Sequence, residues 1–428
     1  MPTGNRLTER LYDRNFVLAM LSQTCFVIAN TLMAHYARWI EFLGGDIEQI
    51  GWIMGAGAVL GLILRPWMGQ WINRLGARAM WLVGYAFFAA GSMGNLLLDD
   101  LHPLIYLLRS CLVLGAAIVF ASSLTFISQT APSGRRTEAI GILGAGGFLG
   151  MLIGPLLGDL MLSADVRVRE DFVLLFMFAG LANAVPAILL FFVKTPGGQG
   201  REMPVRLADF VGTVWRYWPG PILLIDLAFG VCMTAPFIFL TTYVDQVPLK
   251  IEGLSLVGLF FWCYAGWGVI VRVTLRRVPE RCGRRKVLLV GVTFMSIGML
   301  CYALVGADHP WMIVVPALLT GTAHALLFHT MTSLTIESFP SEVRGTGTSL
   351  ALMMMDLGMI AGAPILAQIA SHFDFTRMFT TIAVVCFVAG IIYAASSIPV
   401  WQQRSRMRRD AEPAEQSLVT QVATDGTD

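Results

Sequence analysis

The chain has 428 residues, 56% of them hydrophobic and only 14% charged, with a net charge of +2 and a mean hydropathy of +0.68. Soluble globular chains carry about 25% charged residues, so this composition excludes an ordinary soluble domain and points to an integral membrane protein. The near-zero net charge gives no electrostatic ground for a nucleic-acid partner.

Arg6, Arg10 and Arg14 precede the first apolar run. That run, 16–40, is too long for the core of a signal peptide and no A-x-A cleavage site follows it, so it reads as a retained span one. Apolar runs then recur at 47–72, 79–98, 102–128, 138–162 and 171–193, and after a longer gap at 218–244, 252–275, 287–305, 310–337, 345–371 and 376–398. Each approaches the ~20 residues that a membrane-crossing helix needs. Isolated strands are no alternative, because open sheet edges cannot sit in lipid. The expected fold is all-α and membrane-embedded, with twelve transmembrane helices. Residues 1–193 would form one six-helix half, 194–217 a Gly- and Pro-bearing cytoplasmic linker, 218–398 a second half, and 399–428 a disordered polar tail.

Lysine and arginine fall almost wholly in alternate gaps: 22 lie in the set that includes both termini and 4 in the other, namely Arg167, Arg169, Lys250 and Arg377. The positive-inside rule then puts both termini in the cytoplasm of a cell (inner) membrane. Of the seven cysteines, six lie inside apolar runs and Cys282 in a basic gap, and all read as packing residues rather than a disulfide or metal framework. No metal-ligand spacing, phosphate-binding loop or nucleophile motif is visible, so neither an enzyme, a cofactor site nor ATP-driven pumping is expected; the energy source would be a proton gradient.

The gap after span two, "RPWMGQWINRLGAR" at 65–78, returns as "RVTLRRVPERCGRR" at 272–285, an offset of 207. Pro132 and Arg136 return as Pro340 and Arg344, and Gly150 and Gly154 as Gly358 and Gly362, at an offset of 208. Two six-helix repeats of like orientation are a transporter architecture. At these residues the chain resembles the major facilitator superfamily. That family's loop motif runs Gly, three residues, Asp-Arg, one residue, Gly, then two basic positions. Gly69, Arg74, Gly76 and Arg78 match it, while Asn73 stands where Asp is usual. Glu280, Arg281, Gly283, Arg284 and Arg285 repeat it. The resemblance implies a latch at this loop that forms and breaks as the halves rock. Asn73 would weaken the first copy and leave Glu280 the acidic one. "GMLIGPLLGD", with Gly150, Gly154, Pro155 and Gly158, resembles the fifth-helix motif of the family's exporters, Asp159 replacing its last Gly. Arg109 and Gly115 in span four, six apart, match the proton-antiport motif imperfectly.

Charge inside a bilayer costs at least ~2.5–3.5 kcal/mol on insertion scales, so buried ionisable residues mark a pathway or a pair. The candidates are Arg109, Asp226, His324, His329 and Asp356, joined by Gln23 and Asn30, which share a face of span one. In the family, spans one, four, seven and ten line the central cavity, which would gather Arg109, Asp226 and His324. Asp226 and Asp356 each have two readings, proton carrier or structural partner of an arginine. His324 and His329 are titratable groups or satisfied interior residues. His35, Arg38 and Glu41 read as an outer gate or as interfacial residues. The resulting expectation is a monomeric secondary transporter of a small organic solute by alternating access, as a proton-coupled exporter. An uptake symporter for a sugar or organic anion and a non-transporting sensor are the alternatives.

Overall fold

The computed structural model describes residues 12–130, 136–162, 167–194, 207–247, 249, 251, 255–275, 278–339 and 344–396. Among them are twelve helices long and apolar enough to cross a membrane. Spans one to six are Arg14–Phe42, Ile47–Met68, Ala77–Leu97, Leu104–Ile127, Ile142–Met161 and Arg169–Phe191. Spans seven to twelve are Ile222–Gln246, Leu256–Thr274, Arg284–Leu304, Pro310–Glu337, Thr346–His372 and Phe375–Ser396. The all-helical, twelve-span expectation holds, and most ends fall within four residues of those read from the sequence. For brevity, the end of the bundle where span one begins and span twelve finishes is the terminal face, and the other is the far face.

Local chemistry sets the ends. Span two starts at a reciprocal cap in which the Asp46 carboxylate accepts from the Gln49 amide at 2.8 Å and the Gln49 side chain accepts from the Asp46 amide at 2.9 Å. At the terminal face the chain reverses between spans two and three at Gly76 (φ 87°) and between spans eight and nine at Gly283 (φ 93°). Both backbones sit where a side chain would be strained. The two glycines are 207 residues apart, so the repeat seen in the sequence is a repeat of backbone conformation. The side chains of Gly69's neighbours Asn73 and Arg74, and that of Glu280, lie outside the described residues, as do 1–11, 195–206 and the tail 397–428. Arg78 extends along span six, its guanidinium 3.4 Å from the Val193 carbonyl and 5.9 Å from the Phe191 ring.

One part of the linker departs from the Gly/Pro reading. Residues Leu207–Arg216 form a helix with Leu207, Val211 and Trp215 exposed along one side and Phe210 turned inward. The sequence there lacks Gly and Pro except Gly212, and the i, i+4, i+8 spacing of its apolar residues is helical.

Small residues bring the spans into contact. In span five, a side chain on Gly150 would strike Val27, one on Gly154 would strike Thr31, and one on Gly158 would strike His35. Three glycines four apart thus receive three span-one side chains four apart, and the Thr31 hydroxyl donates to the Gly150 carbonyl at 3.1 Å. Gly358 and Gly362 in span eleven pack likewise on Leu227 and Val231 of span seven. Across the halves, Gly51 and Gly55 of span two lie against Ile360, Ala363 and Pro364 of span eleven, and Gly258 of span eight lies against Leu156 of span five. Two of the helix pairs that join the halves are thus two with eleven and five with eight.

Candidate functional site

Span one is not a straight helix. A 3₁₀ turn at Met33–His35 separates Arg14–Leu32 from Tyr36–Phe42 and re-aims the side chains beyond it. Arg38 is thereby turned inward and is 4% exposed. Its Nε and Nη2 donate to the two oxygens of Asp245 at 2.9 Å each, and its Nη1 donates to Asp159 at 2.5 Å. Arg167 donates to the same Asp245 at 2.7 Å, and the Ser255 hydroxyl donates to the second oxygen of Asp159. His35 joins through both ring nitrogens, Nε2 2.8 Å from the Pro155 carbonyl and Nδ1 3.0 Å from Arg38 Nη1. A carbonyl only accepts and a guanidinium only donates, so the ring bears its proton on Nε2 and accepts at Nδ1.

Within the hydrogen-bonded set two cations face two carboxylates, with the Glu41 carboxyl group beside them, and such pairing is what lets charge persist where water is limited. The set also ties the halves together. Arg38, Asp159 and Arg167 belong to the first half, Asp245 and Ser255 to the second. Arg38 and Asp245 lie 207 residues apart, as do Ala34 and Thr241, whose hydroxyl donates to the Ala34 carbonyl at 3.3 Å. Equivalent positions of the two repeats thus meet at the far face. The position where Asp159 replaces the exporter motif's last glycine is the one that carries charge into this contact.

A second ion pair crosses the halves on the terminal-face side of the first. Arg65 Nε of span two donates to Asp356 of span eleven at 2.5 Å, with the side chains 11% and 23% exposed. Of the two readings open for Asp356, the geometry is that of an arginine pair.

The other candidates are dispersed. Arg109 is enclosed within the first half near the far face, its guanidinium 4.8 Å over the Tyr36 ring, while Tyr36 donates to Asn95 at 2.8 Å. Asp226 is fully buried one turn into span seven from the terminal face. One of its oxygens accepts from Thr335 of span ten at 2.7 Å and the other has no hydrogen-bond partner among the described residues. Gln23 is buried in span one with its side-chain carbonyl unpartnered among the described residues, and Asn30 is partly buried. His324 lies where spans five, seven, eight and ten converge, and His329, further along span ten, lies near Gly144 of span five and Arg272 of span eight. The Nδ1 of His324 bonds the Tyr264 hydroxyl, and its ring lies 5.1 Å from Phe148 and 5.2 Å from Phe229. Beside it stands Arg272, 4.5 Å over the Phe148 ring. Asp159, Asp245, Arg167, Arg272 and Tyr264 were not among the residues singled out from the sequence as candidate sites. The repeat offset was the signal that could have found two of them, since it carries Arg38 to Asp245 and Arg65 to Arg272.

Comparison with known proteins agrees with this architecture. A family profile described as "Major Facilitator Superfamily" matches residues 15–278 and 275–423. The chain is 25% identical to "Multidrug resistance protein MdtG" of Citrobacter koseri, over 93% of this chain and 96% of that protein. It is 26% identical to the protein of the same name in Serratia proteamaculans, over 93% and 97%. Its fold is similar to that of the nucleoside transporter NupG, with a TM-score of 0.71, 13% identity and coverage of 90% of this chain and 99% of that one.

Proposed function

The chain belongs to the major facilitator superfamily, and from that premise we propose that this secondary transporter exports a small organic solute in exchange for protons, rocking between states in which the far-face contact is closed or parted. The observation that carries the reading is the Arg38–Asp245–Asp159–Arg167 cluster. A permanent structural join between two repeats is most cheaply made of packed apolar side chains. A join made of charge is strong when closed, and its groups are readily rehydrated when it parts. The two-with-eleven and five-with-eight packing of glycines provides smooth surfaces on which the halves can pivot.

In this reading the terminal face, where the basic gaps lie, is cytoplasmic, and the protein acts as a monomer in the inner membrane. Residues 1–193 and 218–398 are the moving halves and 194–217 their tether. The closed far face makes this an inward-facing or occluded state. Export rather than uptake is favoured by the relatives' printed names and by the span-five glycine ladder, which seats span one along Val27, Thr31 and His35. Asp226 is the proposed proton carrier, because it is a fully buried carboxylate with one oxygen unpartnered and no arginine paired to it among the described residues. The test is flux in proteoliposomes under an imposed pH gradient with the parent chain and Asp226→Asn. Exchange in the parent and its loss in the variant support the reading; equal gradient-driven exchange in both removes Asp226 from the mechanism.

A further inference from the structure

The repeat relates Arg65 to Arg272 at an offset of 207, and Asp356 to Phe148 at 208. The two pairs occupy corresponding places, yet their chemistry differs. Arg65 meets a carboxylate at 2.5 Å, whereas Arg272 lies 4.5 Å over a phenylalanine ring. The second repeat keeps the cation and lacks the anion. Among the described residues no carboxylate is paired with Arg272, and its Nε is buried with no hydrogen-bond partner. An aromatic face returns to a guanidinium far less than removing a cation from water costs.

A second unsatisfied group points to the same place. Among the described residues, His329 Nε2 is also buried without a hydrogen-bond partner. It and Arg272 Nη1 both lie within 3.5 Å of one point, the position a side-chain carbon would take on Gly144. A carbon at that point would stand only 2.5 Å from Nη1, so glycine at 144 is what lets the guanidinium and the imidazole come together against this face of span five. Around it, Phe148, Tyr264, Phe229 and His324 form an apolar, aromatic wall. The location is the five-with-eight boundary, where residues of both halves would touch one solute.

We propose that Arg272 and His329 hold the anionic group of the transported solute, and that the solute is a lipophilic organic anion with a flat apolar body against Phe148. The solute supplies the counter-ion that Asp356 supplies in the other repeat. This rests on the transporter reading above and narrows its substrate class.

Binding separates the two ideas, because it needs no flux. The full chain in lipid nanodiscs is titrated with radiolabelled naphthalene-2-acetate and with the uncharged naphthalene-2-acetamide, against protein-free discs. The acid should bind at least tenfold tighter than the amide. R272A and F148D should each lose that preference, F148D because it gives Arg272 an internal carboxylate, and R272K should retain part of it. Unaltered thermal unfolding of F148D would show that the loss is local. Equal affinity for acid and amide in the parent chain overturns the proposal whatever the variants do, as does undiminished acid preference in a folded F148D. Acid-selective binding without flux of any solute would support this site and remove the transport reading. Flux of neutral solutes without acid preference would do the reverse.

Discussion

Replacing Asp245 by alanine should loosen the far face more than any other single change. That carboxylate accepts three hydrogen bonds, two from Arg38 at 2.9 Å and one from Arg167 at 2.7 Å, and it is the second-half member of the ion cluster. Hydrogen bonds to charged groups contribute roughly 1.5–3 kcal/mol each when well shielded. Asp245 is 22% exposed and Arg167 25%, so water recovers much of this, and about 2 kcal/mol is a fair net for the set. A shift of about 2 kcal/mol changes a two-state ratio by roughly 30-fold. The reporter is a single cysteine at Ala34, a buried position whose backbone carbonyl still accepts from Thr241. In a background free of the seven native cysteines, modification by a membrane-impermeant maleimide from the far face should accelerate by about one to one and a half orders of magnitude in Asp245→Ala. Asp245→Glu, which keeps the charge, should stay near the parent rate. An unchanged rate in Asp245→Ala would refute the idea that the cluster holds the halves together.

Other consequences are more local. Arg65→Ala and Asp356→Ala should be strongly non-additive in thermal unfolding, with a coupling of about 1–3 kcal/mol, since each alone strands a partly buried charge; additive losses would mean the 2.5 Å pair contributes nothing. Gly154→Ala should destabilise by about 1–3 kcal/mol, because its new carbon falls on Thr31 and on the span-one backbone. Gly147→Ala, where nothing lies within 4 Å of the added carbon, should stay within about 0.5 kcal/mol of the parent. Equal effects would contradict the assignment of the span-one seam. Asp226→Asn should leave folding intact, as the amide oxygen can still accept from Thr335, while removing proton coupling; a variant that fails to fold would instead mark Asp226 as structural.

Length and apolarity made the spans legible, because a segment crossing lipid must satisfy its backbone internally and so advertises itself as one long apolar run. Gly76 and Gly283 were legible for a similar reason, since a reversal in so few residues needs positive φ. The linker helix at Leu207–Arg216 was hidden by the Gly- and Pro-rich residues just before it. The charged contacts were less readable because helix number does not give depth or facing. Arg109 and Asp226 were grouped with His324 on the expectation that spans four, seven and ten share a cavity. Their neighbours instead place Arg109 against Tyr36 near one face and Asp226 against Thr335 near the other. The repeat arithmetic carried more than was asked of it. Extended from the loops into the spans, it relates Arg38 to Asp245 and Arg65 to Arg272, and it sets Phe148 opposite Asp356. Departures from symmetry then become informative: the first repeat offers Arg38 where the second offers Asp245, and the two attract. At Arg272 the matching carboxylate is gone, and a cation remains for something else to satisfy.

Gradient-driven flux tests the central claim most directly. Proteoliposomes holding the full chain would be given an acidic interior and a panel of labelled organic solutes outside, naphthalene-2-acetate among them. Proton exchange drives solute toward the acidic compartment, so uptake should exceed that of protein-free liposomes and collapse when the pH gradient is dissipated. Accumulation in alkaline-interior vesicles instead would identify a symporter, and absence of protein-dependent flux for every solute in both directions would contradict transport itself.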